Sequence, residues 1–353
     1  PPDIEPFATK TLGEMISMNK DLIEKGYAYE SGGDVYFRVK KFAKYGSLSG
    51  QPIDQLESGA RIEVGELKED PLDFALWKKD PNFGYNSPWG VGRPGWHIEC
   101  SAMSRKYLGK TIDIHAGGAD LIFPHHENEI AQSECANGCK FVNYWLHNGF
   151  VTINKEKMSK SLGNFLTIDD LLKNYDANTI RFFILTNHYR MPVEFSDESL
   201  QAAASGVKRM LNANAGKGVD ESLDITQFEE YKEFVEAMDD DLNTSRALAV
   251  LFDLTNKSNK DVPYAYTLLY KLASALGFSF EKATLSDDEL KTTLEGISAE
   301  LGEVYSSMEE IIEKRKTARA EKNWELADKI RLALDKFGIV LKDSKEGTTW
   351  ELK

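Results

Sequence analysis

Three residues of unlike type in this chain could meet on one metal ion. Cys100 lies in Gly95-Trp-His-Ile-Glu-Cys-Ser101, and further on comes Pro124-His-His-Glu-Asn-Glu129, in which His125 and Glu129 stand at i and i+4. If that run opens a helix, with Pro124 near its start, the two side chains share a face and converge on one point. Thiolate, imidazole and carboxylate together suit zinc, and a site short of four protein ligands leaves a position for a substrate group. The spacing alone also allows a plainer arrangement: a His/Glu pair on a helix surface and a cysteine buried as a small hydrophobe.

Two further segments could handle phosphate and ribose. His115-Ala-Gly-Gly-Ala-Asp120 follows the apolar stretch Thr111 to Ile114. A Gly-rich turn at the carboxyl end of a strand would let a ligand approach the backbone through Gly117 and Gly118, and Asp120 could accept hydrogen bonds from ribose hydroxyls. A tight turn with a capping aspartate is the alternative. Lys157-Met-Ser-Lys-Ser161, with Leu-Gly-Asn164 after it, sets Lys157 and Lys160 three apart in a loop punctuated by serine and glycine. Such a loop could fold over a triphosphate and offset charge building on departing pyrophosphate; a solvated turn would look similar.

The elements that must position these residues are legible from periodicity. Leu12, Met15, Ile16, Met18 and Leu22 recur at helical spacing between Ala8 and Lys25, with Gly26 as a stop. From Tyr27 to about Trp89 short alternating stretches such as Asp34 to Val39 are broken by Gly and Pro, as in a small β-rich insertion. From Gly90 to Gly149 helices alternate with short strands, Thr111–Ile114 and Tyr144–His147 among them, which predicts an α/β sheet. Two helical stretches follow, capped by Thr167 and Asp176. The chain is then mainly helical from Ser196 to about Phe337, with interruptions near Ala215–Gly218 and Lys282–Ser286. Gly338–Leu341 and Thr348–Leu352 read as a hairpin.

The bulk numbers bound the class. A chain of 353 residues, 41% apolar and 11% aromatic, has material for more than one core. No apolar run approaches the ~20 residues that span a bilayer, and Pro-Pro-Asp-Ile-Glu-Pro does not read as a signal peptide. Three cysteines, Cys100, Cys135 and Cys139, do not make a disulfide framework, so a reducing cytoplasm is expected. A net charge of −14 argues against non-specific nucleic-acid binding by the whole surface. The helical stretch with Lys314, Arg315, Lys316, Arg319, Lys322, Lys329 and Arg331 reverses that sign locally, although Glu313, Glu321 and Glu325 are interleaved.

Together these segments resemble one family. Lys157-Met-Ser-Lys-Ser161 is similar to the second signature of class I aminoacyl-tRNA synthetases. Gly95 to Met103, Phe123 to Gln132 and Met158 to Asn164 resemble the cysteinyl-tRNA synthetases. Met238-Asp-Asp-Asp-Leu-Asn-Thr244 resembles their helical-bundle signature, and Gly338 to Trp350 their anticodon-recognition region. The resemblance implies an α/β fold, the second part of a Rossmann-like catalytic domain over 1–148 with a connective insertion at about 27–88. A stem-contact region with the lysine loop would follow over 149–200, then a helical bundle over 201–300 and a small α+β domain over 301–353.

The resemblance further implies activation of L-cysteine by ATP, with Mg2+, to cysteinyl adenylate, and transfer to tRNA(Cys). One zinc per subunit would bind the substrate thiolate, with Cys100, His125 and Glu129 matching three protein ligands. Trp96 would wall the amino-acid pocket and His115 face the substrate, while His97 and His126 would support the site without ligating. Lys160 would lie nearest the ATP phosphates, with Lys157, Met158, Ser159 and Ser161 in the same loop. Asp328, Arg331, Asp343 and Trp350 would fall in the anticodon-reading region. A cytoplasmic monomer that does not use a membrane is expected. Serine is nearly isosteric with cysteine, and a pocket selecting by shape alone separates such pairs by only about 1–3 kcal/mol. Coordination of a soft thiolate separates them further without an editing site.

The chain departs from the family pattern in two respects. None of the six histidines, His97, His115, His125, His126, His147 and His188, sits in a His-Ile-Gly-His motif, and the early cysteine that would be the fourth zinc ligand is not found. Part of the N-terminal half of the catalytic domain is therefore expected to lie upstream, and Cys135-x-x-x-Cys139 is too loosely spaced to replace the ligand. Two alternatives carry different expectations: a cysteine ligase acting on an amino sugar, which needs no anticodon reader, and a tRNA-binding remnant without catalysis.

Overall fold

The computed structural model describes residues 2–51, 67–153, 156–158, 166–213, 217–280, 287–344 and 347–352. Compact units form over Pro1–Phe278 and Ser279–Lys353.

In the first unit the apolar spacing of the N-terminal stretch produces helix α1 (Leu12–Glu24), whose Met15, Met18 and Leu22 are fully buried. Gly26 ends it at φ 77°, the left-handed position that glycine fills without a Cβ penalty. Strands β1 (Ala28–Ser31), β2 (Asp34–Phe37), β3 (Phe74–Lys79) and β4 (Gly92–Pro94) make a four-stranded sheet in that order, each pair antiparallel. The ladder thus runs past residue 88 to Pro94. Strand β2 stops at Phe37 rather than Val39, because the Val39 N–H donates to the Asp73 carboxylate (3.0 Å) and the chain turns over Val39–Lys41.

Helix α2 (Trp96–Tyr107) follows the sheet directly and packs on α1, where Arg105 pairs with Asp21 at 2.7 Å. Strand β5 (Ile112–Gly118), helix α3 (Glu127–Asn137) and strand β6 (Val142–Asn148) then form a βαβ unit, with β5 and β6 parallel. One core joins these elements through Met15, Leu22, Phe37, Trp77, Ile98, Ala131 and Phe141. Full burial of each large side chain there contributes about 1.5–3 kcal/mol.

One expectation is corrected here. The glycines after Ile114 do not form a turn. β5 continues through Gly117 and Gly118, paired with His147 and Asn148, and the chain turns only at Ala119–Leu121. The parallel ladder holds the glycines extended. A Cβ on Gly117 would lie 2.7 Å from His126 Cε1, so this position is glycine to admit a ring.

Strands β7 (Val151–Ile153), β8 (Glu156–Lys157) and, later in the chain, β9 (Val193–Phe195) form a small sheet in the order β8-β7-β9. Between them α4 (Ile168–Leu172) and α5 (Ala177–Leu185) begin at the expected caps: Thr167 Oγ1 accepts from the Asp170 N–H, and Asp176 from the Thr179 N–H. Helices α6 (Asp197–Asn212), α7 (Glu229–Asp239), α8 (Thr244–Asn259) and α9 (Ala265–Ala275) bury Leu200, Val207, Met210, Leu251, Leu254, Leu268 and Leu272. Between α7 and α8 Asp241 and Leu242 are left-handed (φ 54° and 56°), and Asp241 accepts from Arg190 (2.6 Å) and Tyr189 (2.8 Å).

In the second unit α10 (Asp287–Leu301), α11 (Met308–Ala320) and α12 (Trp324–Lys336) pack with a hairpin of β10 (Ile339–Ser344) and β11 (Gly347–Leu352). Its core contains Leu294, Ile297, Ile311, Ile330, Leu334 and Ile339, so the helix over 287–301 belongs to this core.

The junction between β4 and α2 sets where Trp96, His97 and Cys100 lie. Gly95 donates its N–H to Leu76 O (2.9 Å), and a Cβ there would stand 2.1 Å from Ala75 O. Backbone against backbone cannot relax by a rotamer change. Gly95→Ala is therefore expected to lower the thermal midpoint of unfolding, with a cost of about 1–3 kcal/mol, as calorimetry would register; an unchanged midpoint would mean that this junction is not rigid.

Candidate metal and substrate site

Four elements bring side chains to one point. Helix α2 carries Cys100 in its second turn and Trp96 and His97 in its first. The turn before α3 carries His125 and His126: Phe123 is extended (φ −134°, ψ 131°), as a residue before proline prefers, and the chain re-enters helix after Pro124. Glu129 lies in the first turn of α3, one turn beyond His125, and β5 supplies His115.

Cys100, His125 and Glu129 each offer a ligand atom within 4.8 Å of the others. His125 Nε2 is 2.9 Å from Glu129 Oε1, and His115 Nε2 is 3.3 Å from Oε2. Glu129 is fully buried, yet among the described residues neither of its oxygens has a hydrogen-bond partner: the two imidazole nitrogens face them without an aligned N–H. Nitrogens and oxygens crowd together there in the manner of ligands round a cation rather than of donors on acceptors. The triad expected from the sequence is assembled, and its S, N and O donors fit zinc.

The electrostatics agree. Burial raises the affinity of the Glu129 carboxylate for a proton, but the flanking His115 and His125 outweigh it and hold the group below the usual carboxylate range. Burial, then Glu129 and Glu99, push the Cys100 thiol up to about 12. A cation reverses that preference, because a coordinating thiol is deprotonated.

Around the triad stands a set of rings that the sequence only partly revealed. His97 Nδ1 lies 2.8 Å from His125 Nδ1, and His126 Nδ1 lies 2.8 Å from His147 Nε2. Burial, reinforced for His97 by neighbouring His125, lowers both His97 and His126 to about 4, so neither is charged at neutral pH. Trp145 packs on His115, His126 and His147 at 4.8, 4.9 and 5.9 Å. The signal for Trp145 and His147 was strand alternation: in register with His115 and Gly117, they share one face of the parallel pair. Trp96 is 59% exposed, with its ring 4.3 Å from that of His125. It stands where a wall beside the triad would stand.

The other candidate residues lie at the edges. Asp120 turns back over Gly118, its Oδ1 within 2.5 Å of where a Cβ on that glycine would be. Lys157 enters through its backbone in β8, and Met158 N–H donates to Val151 O at 3.0 Å. Ser159, Lys160 and Ser161 lie outside the described residues. In the second unit Asp328 and Arg331 are exposed on α12, whereas Trp350 pairs with Leu341 and packs on the core. Asp343 takes Arg315 (3.1 Å), Arg319 (2.7 Å) and the Thr348 hydroxyl (2.7 Å).

Comparison with known proteins defines the class first. The fold is that of a class I aminoacyl-tRNA synthetase catalytic domain: the Mycobacterium tuberculosis methionyl-tRNA synthetase in complex with methionyl-adenylate matches with a TM-score of 0.51 at 16% identity, over 78% of this chain and 72% of that one. Residues 1–205 match the model for tRNA synthetases class I (C) catalytic domain, residues 233–281 a DALR domain, and residues 302–350 the cysteinyl-tRNA ligase anticodon binding domain. A cysteine–tRNA ligase of Shouchella clausii is 50% identical over 99% of this chain and 76% of its own length, and one of Geobacter metallireducens is 47% identical over 100% and 78%. The chain belongs to the cysteine–tRNA ligase family of class I aminoacyl-tRNA synthetases, and it spans about three quarters of the length of these relatives.

Asp343 supports a prediction in its own unit. The Arg315 guanidinium beside it, then Thr348, hold its carboxyl well below the usual carboxylate range. A depressed folded pKa means stabilisation that is present above the unfolded value, about 3.9, and lost as pH falls through the folded value. Asp343→Asn should therefore speed hydrogen exchange of the 339–352 hairpin a few-fold at pH 7 and equally at pH 5, the gap to wild type closing only below about pH 4. Mass spectrometry of the exchanged peptides would read this; a gap already closed at pH 5 would contradict it.

Proposed function

We propose that this chain activates L-cysteine with ATP to cysteinyl adenylate and transfers the cysteinyl group to tRNA(Cys), with zinc at Cys100, His125 and Glu129 selecting the thiol. The observation that carries the selection is the fully buried Glu129 carboxylate, with no hydrogen bond on either oxygen among the described residues, facing a thiol and an imidazole. A zinc ion held by these residues supplies a soft Lewis-acid position for the substrate thiolate. Serine offers no comparable ligand, since its alkoxide is neither accessible nor soft.

The remaining residues hold and orient. The exposed Trp96 indole walls the amino-acid side of the triad, and His115 faces the substrate from β5. Gly117, Gly118 and Asp120 lie at the carboxyl ends of a parallel pair, where open α/β sheets take nucleotides, and Asp120 accepts from ribose. Lys157 and Lys160, with Met158, Ser159 and Ser161, close over the triphosphate and its Mg2+ and balance charge on pyrophosphate as it leaves.

Residues 149–200 contact the tRNA stem, the helical bundle that follows them binds tRNA, and residues 301–353 recognise the anticodon, with Asp328, Arg331, Asp343 and Trp350 in the region that does so. The match of 302–350 to an anticodon-binding domain supports tRNA over an amino-sugar acceptor. The enzyme acts as a cytoplasmic monomer.

The full-length protein is expected to carry one zinc per molecule and Cys100→Ser to carry none, by plasma emission spectrometry of dialysed samples. Cysteine-dependent ATP–pyrophosphate exchange should fall in the same variant by about 100-fold or more, since even groups behind the ligands are worth 10–100-fold. Stoichiometric zinc and an undiminished preference for cysteine over serine in Cys100→Ser would refute the assignment.

A further inference from the structure

Two consecutive residues of the loop between α7 and α8 stand in the left-handed region, Asp241 at φ 54° and Leu242 at φ 56°, and neither is glycine. Such a conformation persists only where its surroundings over-determine it. Here it presents the Asp241 carboxylate to the turn that follows α5. Oδ2 accepts from Arg190 Nε at 2.6 Å, and Oδ1 accepts from Arg190 Nη2 at 3.1 Å and from the Tyr189 hydroxyl at 2.8 Å. The guanidinium is held bidentately, which fixes its orientation as well as its distance. The start of α8 grips the backbone of the same turn: Ser245 Oγ donates to Thr186 O (2.8 Å) and Thr244 Oγ1 to Asn187 O (3.4 Å). As a source of overall stability the ion pair is small, because the Arg190 and Asp241 side chains are 54% and 46% exposed.

The other side of this turn packs on a joint. Only Gly149 and Phe150 separate β6, which carries His147, from β7, which leads to the lysine loop. Gly149 donates its N–H to Tyr189 O at 2.7 Å, and a Cβ there would stand 2.4 Å from the Met191 carbonyl carbon. Just beyond, the Val193 N–H donates to Phe150 O (2.8 Å), and β9 runs parallel to β7. β7 pairs in turn with β8, setting Thr152 opposite Lys157. Contacts therefore lead without a gap from Asp241 through the turn and Gly149 to the backbone of Lys157. We propose that Asp241 and Arg190 are positioning residues for adenylate formation: their clamp holds the turn against Gly149 and so fixes the direction in which the lysine loop leaves the sheet. Neither residue touches a substrate. They act through Lys157 and Lys160, whose ammonium groups must meet the phosphates at close range.

The inference rests on the role given above to the lysine loop, and the test separates the two. ATP–pyrophosphate exchange would be measured on the full-length wild type, Asp241→Gly, Arg190→Gln, Lys160→Ala and the double variant Asp241→Gly/Lys160→Ala. Glycine keeps the left-handed backbone at no steric cost and removes the carboxylate. Asp241→Gly and Arg190→Gln should each lower kcat by about 10- to 100-fold, the effect of a small misplacement remote from the chemistry. The KM for L-cysteine and the thermal midpoint of unfolding should stay at their wild-type values, since the clamp lies away from the triad and an exposed pair adds little to stability. In the Lys160→Ala background the further loss from Asp241→Gly should shrink to a few-fold or less, because both changes act on one step. Wild-type kcat in either single variant overturns the clamp. So does a loss that persists in full without Lys160, or one that comes with a lowered midpoint or a raised cysteine KM. A Lys160→Ala protein with wild-type exchange overturns the role of the lysine loop itself.

Discussion

A carboxylate stripped of water and left without a donor is the constraint around which this catalytic region is arranged. Removing an ion from water costs several kcal/mol even after relaxation, and a buried charge persists only when something opposite in sign compensates it. Glu129 meets that condition only incompletely among the described residues. Its two neighbouring imidazoles approach without aligned hydrogens, and the nearby sulfur prefers its proton. A divalent cation would satisfy the carboxylate, the thiol and the imidazole at once, so under the proposed function the same three residues would account for both the electrostatics and the choice of substrate.

The scaffold keeps such a centre in register by making each ligand element part of the same core. α2 and α3 bury Ile98, Ala102 and Ala131 against α1, so Cys100 and Glu129 cannot drift independently. The other face of α3 is anchored too: Glu127, fully buried beside the triad, accepts the N–H groups of Gly46 (2.8 Å) and Ser49 (3.0 Å). Neighbouring carboxylates in one helix thus have opposite fates. Glu127 is satisfied by backbone and holds the fold; Glu129 has no hydrogen bond among the described residues. The parallel pair β5–β6 brings His115, Trp145 and His147 to the same place from the far side.

Much of this was readable before any coordinates. The periodic Met15, Met18 and Leu22, the caps Thr167 and Asp176, and the terminal hairpin are local patterns, and local patterns decide local structure. The triad was readable because His125 and Glu129 are one helical turn apart and Cys100 is chemically distinctive. The glycines 117 and 118 were misread as a turn because glycine favours turns locally, whereas here a ladder to His147 and Asn148 overrides that preference. The pairings His97–His125 and His126–His147 join residues 28 and 21 positions apart, and no spacing rule predicts which nitrogen meets which. Asp343 was expected only to fall in the anticodon-reading region; its engagement by Arg315 and Arg319 joins residues 28 and 24 positions apart, which no local pattern predicts.

The central claim is that the open position at Cys100, His125 and Glu129 is for the substrate's sulfur. X-ray absorption at the zinc edge, recorded on the full-length protein with and without L-cysteine, tests it most directly. The account predicts that cysteine adds one sulfur neighbour at about 2.3 Å and that serine at equal concentration leaves the spectrum unchanged. A zinc environment that does not respond to cysteine, or responds alike to serine, would contradict it.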